Sequence, residues 1–261
     1  MSQTRQRSTD PADYQHVPRA VAAMPKDFDS GFRIDPHSHE RAQLIYGTAG
    51  TMRVAAAGSM WIVPPQRALW MPAGVVHSIA MLDRVTMRTL YVRDDAAADM
   101  PRSCQVLPVS PLLRELIVRA TELPLQYDED GPAGHVIALL LAELHGLQSL
   151  PLQLPMPQEA RLRALCLALL AVPGDQRTLR EWAQSVNASE RTVARLFQNE
   201  TGLTFGAWRQ QARLLEAMGR LGSGAPVTQV ALDLGYDSVS AFSAMFRRAA
   251  GASPSAYRHR T

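Results

Sequence analysis

Fourteen residues in the C-terminal part of the chain are the strongest guide to its architecture: Ser189-Glu-Arg-Thr-Val-Ala-Arg-Leu-Phe-Gln-Asn-Glu-Thr-Gly202. Ser189 is a residue type that caps helix N-termini, and Gly202 is the type that most easily adopts the left-handed turn ending a helix. Apolar residues repeat on one face of this predicted helix. Another face carries Arg191, Arg195 and Gln198. Because arginine bonds guanine and glutamine bonds adenine, this face suits the major groove of DNA. Taken alone, the pattern also fits an amphipathic surface helix with solvated charges.

A shorter helix is predicted directly upstream, from Thr178 to Asn187. Thr178 can cap this helix, and Glu181 follows at the spacing of a capping box. Its apolar stripe consists of Leu179, Trp182, Ala183 and Val186. Two short helices separated by a break at residues 187–188 are typical of a helix-turn-helix.

The same arrangement is repeated further along the chain. A short helix is predicted from Pro226 to Leu234, a break follows at residues 235–238, and a second helix is predicted from Val239 to Ala250. The apolar back of this last helix consists of Phe242, Met245, Phe246 and Ala249. Its outward face carries Ser240, Ser243, Ala244 and Arg247. The repetition favours two groove-reading units over unrelated surface helices.

The run from Gly235 to Arg258 is Gly-Tyr-Asp-Ser-Val-Ser-Ala-Phe-Ser-Ala-Met-Phe-Arg-Arg-Ala-Ala-Gly-Ala-Ser-Pro-Ser-Ala-Tyr-Arg. It resembles the signature of the AraC/XylS family of bacterial transcription regulators, and Arg195-Leu-Phe with Glu-Thr-Gly202 resembles the first half of that signature. The resemblance implies an all-α C-terminal domain with two helix-turn-helix units. It also implies that a long helix, here Phe205 to Leu221, joins them so that both reading helices meet one face of the DNA.

The resemblance further implies which residues contact double-stranded DNA. The base-facing positions are Arg191, Ala194 and Arg195 in the first reading helix, and Val239, Ser240, Ser243 and Ala244 in the second. The first helix is predicted to supply most of the hydrogen-bonded discrimination, because the residues of the second are small and mostly apolar or hydroxylic. The second helix either reads thymine methyl groups or anchors to phosphates through Arg247 and Arg248.

The distribution of charge agrees with a DNA partner. The formal net charge is +3 at pH 7, but it is uneven. Residues 156–261 hold 13 arginines against 8 acidic residues, whereas residues 1–155 hold 14 basic against 16 acidic residues. The positive C-terminal part is therefore the predicted site of a polyanion.

Length and composition limit the setting in which the protein works. A chain of 261 residues is long enough for two modest domains, each with its own core. No apolar run approaches the roughly 20 residues that span a bilayer, and the polar N-terminus does not resemble a secretory signal. The two cysteines, Cys104 and Cys166, stand far apart, which fits a reducing compartment. These features predict a cytoplasmic protein without a membrane partner.

The N-terminal part has a different periodicity. Residues 1–25 are polar and are predicted to form a mobile segment. Residues 26–100 contain short apolar runs separated by Gly and Pro: Ala42–Tyr46, Met52–Ala56, Met60–Val63, Ala68–Met71, Val75–Met81 and Val85–Val92. Closely spaced short strands of this kind predict an antiparallel β-barrel or sandwich, and hence an α+β two-domain chain.

Four polar side chains stand out among these strands: His37, His39, Gln43 and His77. His37 and His39 are two residues apart on a predicted strand, so they should point to the same face, and Gln43 keeps that parity. His77 would close the site from a separate strand. The arrangement resembles the two cupin motifs, in which two His, a Glu and a later His hold a divalent metal, so the predicted barrel is cupin-like.

The ligand of this site has two interpretations. The cupin resemblance implies a divalent metal such as Zn, Fe or Ni, which imidazoles suit. Gln43 stands where the cupin glutamate would be, however. The site therefore lacks one negative charge that would offset the positive charge of the metal. Alternatively, the four side chains line a pocket and hydrogen-bond a small organic effector.

Helical periodicity begins at Pro111. Residues 101–150 are predicted to contain two helices with wide apolar faces, which pack on the barrel or pair with a second chain. The family resemblance favours the homodimer. The Pro-rich residues 151–157 are predicted to form a stiff linker, and residues 158–261 the double helix-turn-helix domain.

Two functions from different classes fit these features. The preferred one is an effector-responsive transcription regulator that is not an enzyme: the barrel senses and the C-terminal domain binds DNA. The alternative is a cupin-type metalloenzyme with an accessory helical domain, which rests on the three histidines. No acid or base stands beside these histidines at a spacing typical of catalysis, whereas the C-terminal signature points directly to DNA.

Overall fold

The computed structural model describes residues 8–148 and 152–258. In chain order the strands are β1 (Val21–Phe28), β2 (Arg33–His37), β3 (Ala42–Ile45), β4 (Gly47–Ala49), β5 (Met52–Ala56), β6 (Ser59–Val63), β7 (Arg67–Met71), β8 (His77–Met81), β9 (Val85–Val92), β10 (Gln105–Pro108) and β11 (Leu154–Pro155). The helices are α1 (Pro111–Ala120), α2 (Pro132–His145), α3 (Ala160–Ala171), α4 (Leu179–Ser185), α5 (Glu190–Thr201), α6 (Phe205–Gly222), α7 (Val227–Asp233), α8 (Val239–Ala250) and α9 (Pro254–Arg258). The chain divides into two compact units, one from residues 1–57 and 63–151 and the other from residues 58–62 and 152–261.

The first unit is built from antiparallel sheets. Six strands form one sheet in the order β1-β9-β3-β7-β10, with β4 also paired to β9. In the second, β8 pairs with β5 on one side and with β2 on the other. Buried and half-buried residues alternate along β5 and β8, as the pleat requires when one face is covered. The predicted antiparallel β-rich N-terminal domain is thus confirmed.

Ordered structure in this unit begins before the predicted boundary at residue 26. Residues 1–7 of the predicted mobile segment lie outside the described residues, but β1 starts at Val21 and pairs with β9 along its whole length. Tyr14 is fully buried and packs against the ring of Tyr91. The interruption of this strand by Pro25 hides it in the sequence. Because β1 lies at the edge of its sheet, a proline is tolerated there.

The two predicted helices of the first unit are present as α1 and α2. Ser110 caps α1 by accepting a hydrogen bond from the Leu113 N–H at 3.0 Å. Both helices pack on the six-stranded sheet, and their shared core contains Leu44, Trp70, Leu90, Leu113, Ile117, Ile137, Leu140 and Leu144. Leu112 and Leu139 lie on the outer faces of these helices and are about half exposed.

The second unit contains the predicted pairs of short helices. The capping box of Thr178 and Glu181 begins α4, and Asn187 turns the chain with a φ of 51° before α5. The predicted connecting helix is α6, which extends one residue beyond the predicted end. The pair α7 and α8 repeats the pair α4 and α5. Two aromatic clusters form the cores: Phe197 with Phe205 and Trp208, and Phe242 with Phe246 and Tyr257.

The Pro-rich segment also contributes to the second unit. Its first residue, residue 151, lies outside the described residues. Further on, β11 pairs with β6, and the Trp208 indole N–H donates to the Pro155 carbonyl at 2.7 Å. The backbone N–H groups of Gln158 and Glu159 both donate to the Glu200 carboxylate. These bonds fix the end of the segment against α5 and α6, within the same unit.

Candidate DNA-reading helices and histidine pocket

The first reading helix is α5, and its orientation is set by its two ends. The Ser189 hydroxyl accepts a hydrogen bond from the Thr192 N–H at 3.1 Å, and Gly202 ends the helix with a φ of 71°. Val193 and Phe197 are buried on the back of the helix. Since helical side chains three or four residues apart share a face, these buried residues direct the opposite face outward.

The outward face of α5 carries the predicted base-contacting residues. Arg191 and Arg195 are exposed, and Ala194 between them is half-buried. Among the described residues, neither guanidinium has an intramolecular hydrogen bond or ion pair. Other arginines of this unit are neutralised: Arg177 bonds Asp175, and Arg220 bonds Glu216 and Asp233. The donors of Arg191 and Arg195 are therefore available to a ligand.

The second reading helix, α8, is built in the same way. Ser238 accepts from the Ala241 N–H at 3.1 Å, and Gly251 ends the helix with a φ of 73°. The outward residues are Val239, Ser240, Ser243, Ala244, Arg247 and Arg248, of which only Ser243 is half-buried and the others are exposed. The side chains on this face are smaller and less polar than those on the outward face of α5. The exception is the last turn of α8, where Arg247 and Arg248 lie.

The three histidines of the first unit lie together. Each ring offers one nitrogen that could bind a metal, and these three nitrogens, from His37, His39 and His77, lie within 4.8 Å of one another. The ring centroids of His37 and His77 are 4.3 Å apart, and those of His37 and His39 are 4.8 Å apart. The predicted geometry was wrong in one respect: β2 ends at His37, so His39 follows the strand rather than sharing its face. His37 and His77 are brought together because they are register partners on β2 and β8.

Hydrogen bonds orient two of these rings. Nδ1 of His37 lies 2.8 Å from the Asp35 carbonyl, and Nδ1 of His77 lies 3.0 Å from the Val75 carbonyl. Since a carbonyl oxygen only accepts, each Nδ1 carries the hydrogen, and each Nε2 of the neutral ring carries a lone pair. Nε2 of His77 and Nε2 of His39 are buried without a hydrogen-bond partner among the described residues.

Burial also determines the charge of these rings. Burial, together with smaller contributions from the neighbouring His37 and His77, lowers the pKa of His39 to about 4. Burial likewise lowers the pKa of His77. The two rings are therefore neutral at pH 7, and a neutral imidazole nitrogen can bind a metal or accept a hydrogen bond.

Gln43 lies on β3 opposite Tyr91 of β9 and is almost fully buried. Its Nε2 donates to the Thr89 hydroxyl at 3.1 Å, and that hydroxyl donates to the Leu44 carbonyl at 2.9 Å. This chain fixes the amide, so that Oε1 is left buried without a partner among the described residues. Tyr91 links Gln43 to the histidines, because its ring lies 4.9 Å from that of His39.

Comparison with known proteins identifies the family. A family described as AraC-like ligand binding domain matches residues 28–170, more than half of the chain. The chain belongs to the AraC/XylS family of transcription regulators. A second family, described as a helix-turn-helix domain, matches residues 182–260, which include both reading helices of this AraC-family chain.

Several AraC-family relatives are transcriptional regulators. The HTH-type transcriptional regulator NimR of Escherichia coli is 35% identical over 221 residues, which cover 85% of this chain and 81% of NimR. The regulator RipA of Corynebacterium glutamicum is 34% identical over 103 residues, covering 40% of this chain and 31% of RipA. The DNA-binding domain of AdpA, solved in complex with a target DNA, is 33% identical with a TM-score of 0.35, covering 37% of this chain and 89% of that one.

Two features of this AraC-family chain were missed in the sequence. Thr89 and Tyr91, which hold Gln43 and contact His39, lie about fifty residues beyond the first histidines and carry no local motif. Their alternation on β9 is the only available signal. Arg41 is buried and donates to the carbonyls of Gln15, Val17 and Arg19. Within the described residues, no helix has the length and apolarity to cross a membrane.

Proposed function

We propose that this AraC-family regulator binds double-stranded DNA through α5 and α8, with unequal roles for the two helices. The supporting observation is a pair of equally capped helices that expose different side chains. Arg191 and Arg195 on α5 would bond base edges directly, each good bidentate pair with guanine contributing about 1–3 kcal/mol of discrimination. Ala194 would allow close approach to the groove.

On α8, the proposed base-facing residues are Val239, Ser240, Ser243 and Ala244. Val239 and Ala244 would contact thymine methyl groups, and the two serines would bond either base edges or water. Arg247 and Arg248 would bond phosphates and hold the helix in register without reading sequence. DNase protection on the DNA flanking the gene tests this function. A discrete protected site supports it, whereas uniform cleavage at every protein concentration contradicts it.

We further propose that His37, His39, Gln43 and His77 form the effector site, and that a divalent metal fits it. Two histidine Nε2 atoms and the Gln43 Oε1 are buried without partners, and such atoms are costly unless a ligand satisfies them. The donor set is three imidazoles and a neutral amide, which suits Zn, Fe or Ni more than the hard cations Mg or Ca. A small organic donor that bonds the same atoms is the second candidate.

Calorimetry on the full-length protein separates these two ligands. Zn²⁺ and Ni²⁺ are titrated into chelator-treated wild type, His37→Ala and His77→Ala. We expect saturable binding to wild type that is at least tenfold weaker in both variants. The matched control is His135→Ala, because His135 is an exposed histidine of α2 outside the pocket. Equal affinity in all four proteins would exclude the metal and leave the organic effector.

The effector would act by changing how residues 101–157 present the DNA-binding unit, in a protein that acts as a homodimer in the cytoplasm. Occupancy can do this only if the two arrangements of the protein bind the ligand with different affinity. The exposed Leu112 and Leu139 on α1 and α2 support a second copy as partner. Light scattering of wild type and Leu139→Glu tests the dimer. A monomeric wild type would exclude it.

We prefer this regulator to a metalloenzyme built on the same pocket. Within the described parts of the chain, the histidine cluster contains no carboxylate that could act as an acid or base, and the relatives described above are transcriptional regulators. Turnover by the metal-loaded protein that is lost in His77→Ala would favour the enzyme instead.

A further inference from the structure

A cleft within the second unit lies beside the second reading helix. It has a volume of about 320 Å³ and is lined by one stripe of α6, one stripe of α8 and Tyr236 from the turn before α8. The α6 stripe includes Gly206, Arg209 and Arg213, and the α8 stripe includes Ala241 and Arg248. Arg248 follows Ala244 by four residues, so the cleft borders the proposed base-facing side of α8.

The lining of this cleft is strongly positive. Of the residues that the structure describes, three arginines and no acidic residue line it. Asp175, an acid whose charge acts on Arg213, has its carboxylate bonded by Arg177 at 2.7 to 3.2 Å. Burial lowers the pKa of Arg213, and the like charge of Arg209 lowers it further. The arginines therefore repel one another without a matching anion from the cleft walls.

Two of the three guanidinium groups, those of Arg209 and Arg213, are held in place by hydrogen bonds. Arg213 donates from Nε to the Pro173 carbonyl at 2.9 Å and from Nη2 to the Asp175 carbonyl at 3.0 Å. Arg209 donates from Nη1 to the Arg177 carbonyl at 2.9 Å. Each group retains further N–H donors, because a guanidinium carries five. Fixed donors of like charge reduce the entropy cost of binding an anion.

The cleft also includes the beginning of a long helix. Thr204 caps α6, so Gly206 lies in its first turn, where backbone N–H groups have no acceptor within the helix. A Cβ on Gly206 would meet no atom within 4 Å, so the backbone is open to a ligand there. A helix N-terminus adds positive potential to that of the three arginines.

We propose that this cleft binds a phosphate-type oxyanion, through Arg209, Arg213, Arg248 and the first turn of α6. Because the cleft borders α8, the backbone phosphate of bound DNA is one source of that anion, and this source depends on the proposed DNA-binding function. A free phosphorylated ligand is the other source of the same chemistry.

Substitution at Gly206 tests the site without removing an arginine. Gly206→Glu places a carboxylate among the guanidinium groups and is compatible with the first turn of a helix. Ala207→Glu is the matched control, since it adds the same charge at the same helix end on a residue that does not line the cleft. Gly206→Gln adds bulk without charge and should impair binding less than Gly206→Glu.

Two assays on the full-length proteins identify the source. Affinity for a mixed-sequence duplex is measured against KCl, and the melting temperature is measured with and without inorganic pyrophosphate. For a DNA phosphate, Gly206→Glu should reduce the slope of log K against log[KCl] by about 1, while Ala207→Glu keeps the wild-type slope. For a free anion, Gly206→Glu should instead lose the stabilisation by pyrophosphate that wild type and Ala207→Glu retain.

The proposal is supported if Gly206→Glu alone shows a reduced salt slope for duplex binding, or if it alone loses the stabilisation by pyrophosphate. The proposal is overturned if Gly206→Glu behaves as wild type in both assays. It is also overturned if Ala207→Glu or Gly206→Gln shows as large a loss of salt slope or of pyrophosphate stabilisation as Gly206→Glu. A wild type that binds no duplex would refute the DNA-binding function, and the pyrophosphate assay would still decide whether the cleft binds an anion.

Discussion

The two reading helices, α5 and α8, have the same kind of caps and aromatic core, here called the frame, but they expose different side chains. Each has twelve residues, begins at a serine that accepts from an N–H three residues on at 3.1 Å, and ends at a left-handed glycine. The proposed DNA-facing surface carries the exposed Arg191 and Arg195 on α5, and mainly small side chains on α8. The comparison teaches that similar caps and aromatic cores can position two helices whose proposed DNA-facing side chains differ.

If the frames are equivalent, truncating one buried aromatic side chain in each core should lower the free energy of unfolding by a similar amount. Phe197 and Phe242 are both fully buried in aromatic clusters. We expect Phe197→Ala and Phe242→Ala each to lower the free energy of unfolding by about 3–5 kcal/mol, because each leaves a cavity. Urea denaturation followed by circular dichroism measures this. A loss below about 1 kcal/mol in one variant alone would show that the two frames are not equivalent.

The surfaces should differ most in sequence discrimination. We expect Arg195→Ala to reduce the preference for the best site over a single-base variant by about 1–3 kcal/mol, since a bidentate contact to a base is lost. Competition binding with a panel of substituted duplexes measures this preference. An affinity that falls equally for every duplex would place Arg195 on the phosphate backbone and contradict the comparison.

The caps offer a smaller test of the shared frame. Ser189→Ala and Ser238→Ala each remove the side-chain cap of an exposed helix start, and Ser189→Ala also removes a hydrogen bond to the Thr192 hydroxyl at 2.8 Å. Each is expected to cost about 1 kcal/mol of stability, with the two values close to each other. Thermal unfolding of both variants beside wild type provides the measurement, and a threefold difference between them would break the equivalence.

The smallest effect is expected from Arg247→Ala on α8. This exposed arginine is proposed to bond a phosphate, so its loss should weaken binding to all duplexes alike and reduce the salt slope by about 1. Binding isotherms between 50 and 200 mM KCl test this. A change in base preference as large as that of Arg195→Ala would show that α8 reads sequence as α5 does.

Sequence patterns predicted the parts of the fold that depend on local rules. The caps at Ser189 and Thr178 and the end at Gly202 were all predictable, because each depends on residues within one helical turn. The histidine cluster was predicted from spacing, but its geometry was not. His37 meets His77 through the register of two distant strands, and His39 lies outside the strand on which its parity was argued.

Other features depended on position in the sheet or on distant partners. Pro25 concealed β1, since only the edge position of that strand makes a proline acceptable. Thr89 fixes the amide of Gln43 from 46 residues away, and no local pattern marks that contact. Long-range strand pairing brings such residues together, and a single sequence does not specify the register in advance.

Selection from a random duplex pool tests most directly the claim that the second unit presents its arginines to base edges. Full-length wild type is predicted to enrich a defined motif at moderate salt, with or without added Zn²⁺ or Ni²⁺. The double variant Arg191→Ala with Arg195→Ala is predicted to lose the strongest positions of that motif while retaining salt-dependent binding. No enrichment by wild type under any of these conditions, or an unchanged motif in the double variant, would contradict the account.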